Sequence, residues 1–241
     1  MDLADWLRLD VPVGQAGMGG GLTGPELAAA VASAGGLGTL GLALPDQLRD
    51  SIRQIRDGAP GRAVVMNLLT PFLRRRHVSE CVNSRIVAAV VAFAGDRGIG
   101  GQAQGCRHFR VRDGGYGPVL LAGGIATGED TRAALAAGTS GVIAGTRFLL
   151  TRESRAHPEY LRRILAARKT FRTTSFGLGW PAPHRAIANV VLLHRPDRRD
   201  ARFGGRSRRV LRGTDRPADD LDHIGRQAVT DLAPDSASGG Q

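Results

Sequence analysis

The sequence predicts an α/β fold whose core is a parallel sheet covered by helices on both faces. Three observations carry that prediction. Short apolar runs alternate along the chain with segments that carry apolar residues at helical spacing, as repeating βα units do. The apolar runs are continuous and do not alternate with polar residues, as strands buried on both faces require. Most of the runs close on glycine or a small polar residue, which is where a parallel α/β fold places its ligand-binding loops.

The elements follow in order. "VPVGQAGMGGG" (11–21) reads as a short strand entering a Gly-rich loop. "TGPELAAAVASAG" follows as a helix, with Thr23 as a cap, Pro25 in the first turn, and Gly35 and Gly36 as the stop. "LGTLGLAL" (37–44) is a second strand. "PDQLRDSIRQIRDGAPG" is an amphipathic helix with Leu48, Ile52 and Ile55 on one face. "RAVVMNLL" (62–69), "IVAAVVAFAG" (86–95) and "PVLLAGG" (118–124) are the third, fourth and fifth strands. "EDTRAALAAG" is a helix, "GVIAGTRFLL" (141–150) a sixth strand, and "ESRAHPEYLRRILAARK" a further helix.

A dinucleotide-binding arrangement is excluded. No GxGxxG follows the first strand, and no acidic residue ends the second. The closing residues are instead Gln15 and Met18, Asn67, Gly123 and Gly124, and Gly145 and Thr146. In a (β/α)8 barrel, ligands sit at the C-terminal strand ends, and a phosphate often lies on the loops after the last two strands. Glycine there lets backbone N–H groups approach an anion, and the positive N-terminal end of the next helix assists. The fifth and sixth strands therefore read as the seventh and eighth units of such a barrel, forming a phosphate cradle. Tight strand-to-helix turns would also use glycine, but the pairing on two successive units favours the anion.

Composition sets the remaining bounds. The 241 residues, 42% of them hydrophobic, allow one sizeable core. There is no run of eighteen apolar residues and no signal-like N-terminus, so a soluble cytoplasmic protein without membrane contact is expected. Cys81 and Cys106 lack metal-ligand spacing, and no metal is expected. The formal charge is +11, carried almost wholly by arginine, with Lys169 the sole lysine. The densest basic run, His194 to Gly213, is interleaved with Asp and Gly and is poor in aromatics. It reads as a solvated tail more than as a nucleic-acid surface. The expected organisation is a barrel domain over 1–190 and an Arg-rich, partly disordered tail over 191–241.

Four stretches carry a family resemblance: "VPVGQAGMGGGLTGPELAAAVASAGGLGTLG", "VVMNLL", "VLLAGGIATGEDTRAALAAGTSGVIAGTRFLLTRESRAHPEYLRRIL" and "FGLGWPAPHRAIAN". Together they resemble the nitronate monooxygenase family, FMN-dependent TIM barrels, over roughly residues 11 to 95 and 117 to 190. The resemblance implies that FMN lies across the strand ends. Gln15, Ala16, Gly17 and Met18 would lie against its ring and Asn67 would hydrogen-bond it. Gly123 and Gly124 would hold the phosphate on one side, with Ala144, Gly145 and Thr146 on the other. The implied reaction is oxidation of alkyl nitronates with O2, the flavin performing the redox chemistry. Gly17 stands where the family usually has proline, and Ile143 with Ala144 replaces a more polar pair. Backbone contacts survive such side-chain changes.

The centre of the chain departs from the family. Only six strands are counted, and "DRGIGGQAQGCRHFRVRDGGYG" (96–117) is too short for two βα units. The family's "Q-G-x-E-A-G-G-H" segment, with its general-base histidine, is not matched. Gln104 and Gly105 remain, and His108 is near in sequence but out of register, so it is a candidate base without a motif behind it. His77, after an arginine run, reads as solvated. His157 and His184 read as structural. Cys106 beside Arg107 could be a reactive thiol by adjacency alone. Two alternatives stay open. One is an enoyl-thioester reductase using FMN and NAD(P)H. The other is a non-catalytic remnant that binds flavin or phosphate, whose open sheet edges invite pairing with a second copy.

Overall fold

The computed structural model describes residues 3–19, 21–69, 73–85, 87–91, 118–167, 170–173, 184–187 and 225–234. The chain divides into two compact units, 1–156 with 221–241, and 157–220.

The first unit opens with α1 (Leu3–Leu7), followed by β1 (Val13–Gln15) and α2 (Pro25–Ser33). Next come β2 (Gly38–Leu40), α3 (Pro45–Gly58), β3 (Val64–Leu69), α4 (Arg75–Asn83) and β4 (Val87–Val91). After residues outside the description come β5 (Leu120–Ala122), α5 (Gly128–Ala136), β6 (Gly141–Ala144) and the single turn α6 (Thr146–Leu149). The six apolar runs are therefore strands, as their sequence requires. They pair in parallel in the orders β1-β6-β5 and β2-β3-β4. A parallel bridge between Gly14 and Leu37 joins the two sets, with Gln15 N–H donating to Leu37 O at 3.0 Å and Leu37 N–H to Val13 O at 2.8 Å.

The wall thus runs β5-β6-β1-β2-β3-β4, and the first strand lies between the second and the sixth. Chain-consecutive strands side by side, with the last returning beside the first, is barrel order; a doubly wound sheet reverses direction from a central strand instead. The chain is a mixed α/β protein of TIM-barrel type. The expected shortening around 96–117 lies outside the described residues.

Two cores flank the wall. One packs Ala28 and Ala32 of α2, Leu48, Ile52 and Ile55 of α3, Met66 and Leu68 of β3 and Cys81 of α4. The apolar face of α3 is the one its spacing predicts. Gly38 is required here, because a methyl group at that position would collide with the Ala28 carbonyl oxygen of α2. The other core packs Val13, Leu27, Val31, Val142 and Phe148 against Val229 and Leu232. Beneath the strand starts, Leu7 of α1 packs with Leu37 and Val65, flanked by Trp6, Leu9 and Leu120. The N-terminal end of the wall is therefore plugged, and the C-terminal end carries the candidate site.

Val229 and Leu232 belong to α8 (Gly225–Leu232), inside the stretch that the sequence reads as a tail. Ala228, Val229 and Leu232 are buried to 0–1% exposure. Asp231 accepts from Arg147 Nη2 at 2.5 Å, and Glu153 accepts from Gly225 N–H at 2.7 Å. Burying valine and leucine side chains is worth about 1.5–3 kcal/mol each, so this helix is part of the fold. The rest of the expected tail, 191–224 and 235–241, lies outside the described residues.

Three other expectations change. Residues 146–149 are helical and do not continue the sixth strand. The chain turns at Gly145, Phe148 N–H bonds back to Gly145 O at 3.0 Å, and Phe148 and Leu149 enter the core. Thr23 does not cap α2; Gly24 occupies that position without a side-chain bond. His77 is not solvated but 3% exposed. Its Nδ1 accepts from Arg74 N–H at 3.0 Å, and its Nε2 lies 3.1 Å from Ala43 O. A ring that accepts at Nδ1 and faces a carbonyl at Nε2 is the neutral Nε2–H tautomer. Its neighbour in sequence, the arginine run, had suggested water.

The second unit contains α7 (Pro158–Ala166) and the antiparallel pair β7 (Thr170–Thr173) and β8 (His184–Ile187). His157 caps α7, its Nδ1 accepting from Glu159 N–H at 3.2 Å, which is the structural role expected of it. His184 pairs through its backbone with Thr173.

Candidate functional site

The candidate site is assembled from the residues that leave β1, β3, β5 and β6 at their C-terminal ends. Parallel strands all end on the same side, so residues far apart in sequence meet there without long connections.

Gln15 ends β1 and is fully buried. Its amide is used at both ends by the chain itself: Nε2 donates to Ala16 O, and Oε1 accepts from Thr39 N–H of β2 at 3.1 Å. Gln15 therefore shapes the wall, with one bond made at each end of its amide. Ala16, Gly17 and Met18 follow it, half-buried. A side chain at Gly145 would begin 3.6 Å from Ala16 Cβ and 3.8 Å from Met18 Sδ. The first and sixth strand ends thus form one continuous strip with a bare position at its centre.

Asn67 sits within β3, paired with Ala89 of β4, and is buried. It is a wall residue and not a turn former. Its Nδ2 donates to Gly17 O at 2.8 Å, and that bond fixes which end of the amide is oxygen. Oδ1 is buried and has no hydrogen-bond partner among the described residues. A buried acceptor left unmade costs roughly 1–3 kcal/mol, and such atoms in a native fold call for a partner. Gly17 is needed for this approach: a Cβ there would lie 2.8 Å from Nδ2 and 2.9 Å from Cγ of Asn67. A proline at position 17 would meet the same collision.

Gly123 and Gly124 follow β5 with φ of +99° and +82°, and among the described residues no atom lies within 4 Å of where a Cβ would stand at either. Positive φ is a conformation that glycine adopts without steric cost. Bare backbone thus faces open space beside β6. The N-terminus of α5 is not part of this surface. Asp130 Oδ2 accepts from Ala126 N–H at 2.9 Å, Thr127 N–H at 3.0 Å and Thr127 Oγ1 at 3.0 Å, while Thr127 Oγ1 accepts from Asp130 N–H at 3.2 Å. The chain's own carboxylate takes the donors that a phosphate would use. After β6, Ala144 is buried, Gly145 half-buried and Thr146 exposed. The helix there is one turn long, so any anion would rely on individual N–H groups more than on a helix dipole.

The set Gln15 to Met18, Asn67, Gly123, Gly124 and Ala144 to Thr146 contains no acid or base. It can hold and orient a ligand but cannot itself move a proton. His108, Cys106, Gln104 and Gly105 lie outside the described residues. Among the described residues, no group of His, Cys, Asp and Glu could hold a metal ion, and no helix is long and apolar enough to cross a membrane. A cavity of about 250 Å³ at the other end of β3, beside Ile52, Ile55, Arg56, Arg62, Val64 and Arg85, is not a rival site. Arg62 is held by Asp10 at 2.7 Å and Arg56 by Ser84 O.

The model of the nitronate monooxygenase family matches residues 2–71 and 109–202. The chain belongs to the nitronate monooxygenase family. Residues 72–108 fall outside the match. Among curated relatives, the chain is 37% identical over 75 residues to "Nitronate monooxygenase npaC" of Metarhizium robertsii, covering 27% of this chain and 21% of that protein. It is 30% identical over 230 residues to "(3aS,4S,5R,7aS)-5-hydroxy-7a-methyl-1-oxo-octahydro-1H-indene-4-carboxyl-CoA dehydrogenase" of Rhodococcus jostii, covering 77% of this chain and 65% of that protein. The chain therefore spans less than two thirds of the length of either relative.

Two solved structures extend the comparison. FabK from Thermotoga maritima aligns with a TM-score of 0.60 at 26% identity, over 77% of this chain and 73% of that one. Nitroalkane oxidase from Streptomyces ansochromogenes aligns with a TM-score of 0.62 at 23% identity, over 79% and 80%. At that identity the second likeness speaks to the fold alone.

Thr39 and Gly41 support the site without being marked in the sequence, and Thr23, read there as a helix cap, supports it too. A TxxD signal (Thr127, Asp130) could have revealed the capping box on α5. Nothing local marks Thr39 or Gly41, whose parts depend on neighbouring strands.

Proposed function

We propose that this member of the nitronate monooxygenase family binds FMN across the C-terminal strand ends and acts as a flavin-dependent oxidoreductase, with alkyl nitronates as substrate and O2 as acceptor. The observation that carries this is Asn67 Oδ1, a buried acceptor without a partner among the described residues, together with the bare glycine backbone at 123 and 124 past the end of a strand of the same wall. A flavin ring offers N–H donors to such an oxygen, and its phosphate suits N–H groups approached without a Cβ in the way.

In this arrangement the N–H groups of Gly123 and Gly124 hold one side of the phosphate, and those of Gly145 and Thr146 the other. Ala144 ends the strand that presents them. Asn67 accepts from the ring through Oδ1 while Nδ2 keeps Gly17 in place. Ala16, Gly17 and Met18 lie along the ring, and Gln15 fixes where that strip leaves the wall. Bound flavin supplies the two-electron chemistry, and the chain supplies binding, orientation and exclusion of water. A base for substrates that must lose a proton has to come from outside this set, and His108 is the candidate that the sequence offers.

A second reading, an oxidoreductase acting on a CoA thioester, is favoured by the relative named as a carboxyl-CoA dehydrogenase, which aligns over 77% of the chain. The test begins with the absorbance spectrum of the purified protein before and after addition of FMN. About one flavin per chain is expected, followed by nitronate-dependent oxygen uptake; His108→Ala should reduce uptake with the neutral nitroalkane, which must first lose its α-proton. Flavin binding with NAD(P)H-dependent reduction of an enoyl thioester, and no nitronate turnover, would move the assignment to the second reading. A chain that takes up no flavin would end both.

A further inference from the structure

We infer that Thr23 is a positioning residue for the flavin-facing strip, fixing Met18 through its hydroxyl; this rests on the flavin assignment above. Thr23 stands just before α2, where a threonine would ordinarily cap the helix. Its hydroxyl is turned the other way. Oγ1 accepts from Met18 N–H at 3.0 Å and donates to Met18 O at 3.0 Å. One buried atom, on a residue 2% exposed, thus satisfies both backbone groups of the residue that ends the strip.

The surroundings are built to the same end. Gly41, just past β2, donates its N–H to Thr23 O at 3.0 Å. A Cβ at Gly41 would lie 2.5 Å from both Met18 O and Thr23 Oγ1, so the bare backbone of the second strand end is what leaves room for the clamp. On the far side, Met18 Sδ lies 3.8 Å from where a side chain at Gly145 would begin. The hydroxyl therefore ties the loop after β1 to the start of α2, the Thr23 carbonyl ties that start to the end of β2, and Met18 is held against the end of β6. Serine can both donate and accept at that point, and valine can do neither. Without the hydroxyl, the Met18 peptide groups lose both partners and the strip must be ordered when a ligand binds.

The experiment uses the full chain as wild type, Thr23→Val and Thr23→Ser. Each is titrated with FMN, its bound-flavin spectrum is recorded, and hydrogen exchange at the Met18 amide is followed without FMN. The expected result is that Thr23→Val raises the FMN Kd about tenfold, the equivalent of one or two lost hydrogen bonds. It also speeds Met18 exchange and shifts the bound-flavin band. Thr23→Ser stays within about twofold of wild type in all three. Gly41→Ala, which presses on the clamp from the β2 side, should weaken FMN in the same direction. Equal FMN affinity and equal exchange in wild type and Thr23→Val would overturn the inference and leave the flavin assignment standing. Thr23→Ser failing as badly as Thr23→Val, with melting temperatures falling in step, would also overturn it, since the methyl group would then be what matters. A wild-type chain that binds no FMN would overturn both.

Discussion

Replacing Asn67 with leucine separates what this residue contributes to the fold from what it contributes to a ligand. Asparagine and leucine branch at the same atom, so the change keeps the shape beside Gly17 while removing both polar ends. On the fold side, one hydrogen bond is lost, Nδ2 to Gly17 O at 2.8 Å, worth about 1 kcal/mol net. Against that stands Oδ1, buried without a partner among the described residues, whose removal relieves about 1–3 kcal/mol. The balance for the ligand-free chain runs from roughly neutral to about 2 kcal/mol more stable, whereas breaking a buried polar contact ordinarily destabilises. On the ligand side the acceptor is gone, and FMN should bind about tenfold more weakly. Urea unfolding of the ligand-free protein and FMN titration read the two sides separately. A loss of about 2 kcal/mol or more of stability, or unchanged FMN affinity, would refute the reasoning. Either would show that Oδ1 is not held in reserve for a ligand. Strain of this kind at a binding position is a common exchange of stability for function.

Three further predictions follow from the fold. Leu232→Ala removes a fully buried side chain of α8 and should cost about 2–5 kcal/mol in urea unfolding; a loss under about 1 kcal/mol would mean that α8 is not part of the core. Gly38→Ala drives a methyl group into the Ala28 carbonyl oxygen and should lower stability by about 1–3 kcal/mol, or prevent accumulation of folded protein, as followed by circular dichroism. Asp10 is held below the usual carboxylate range by hydrogen bonds from Arg62. A depressed folded pKa adds stability above the unfolded value, about 3.9, and that stability is lost as pH falls through the folded value. Arg62→Ala should therefore lower Tm slightly at pH 7 in low salt, with the difference closing in acid or at high salt; a difference that persists in acid well below the usual carboxylate range would rule out this origin.

What the sequence made legible was everything that repeats or lies close in the chain. Six apolar runs are strands because runs of that length, separated by helical spacing, have one economical packing. The face of α3 carrying Leu48, Ile52 and Ile55 could be read from periodicity because its neighbours are the next elements along. The rim residues could be listed because strand ends are marked by glycine. The missing parts depend on contacts across large separations. Amphipathic spacing alone gave no sign that α8 fills the gap beside Val13, Leu27 and Val142, since its burial depends on residues about 80 to 220 positions away. His77 was misjudged because its neighbours in sequence are arginines while its neighbours in space are a helix start and the Ala43 carbonyl. Thr23 carried the right residue type for a cap, and its hydroxyl found a better-placed pair of partners five residues upstream.

The two cores differ in when the ribosome releases their parts. Among the described residues, the first draws on Ala28 to Cys81, so it can close while the rest of the chain is still being made. The second joins residues from Val13 onward to Leu232, and about 150 more residues must emerge before its last member is available. At roughly 5–20 residues per second that delay is on the order of ten seconds. During that interval β1 and α2 have one flank completed and the other waiting, with Val13, Leu27 and Val31 exposed to whatever else is nearby. The docking of α8 is thus the step that completes this core, and a nascent chain stalled before it presents an apolar surface that chaperones and proteases recognise.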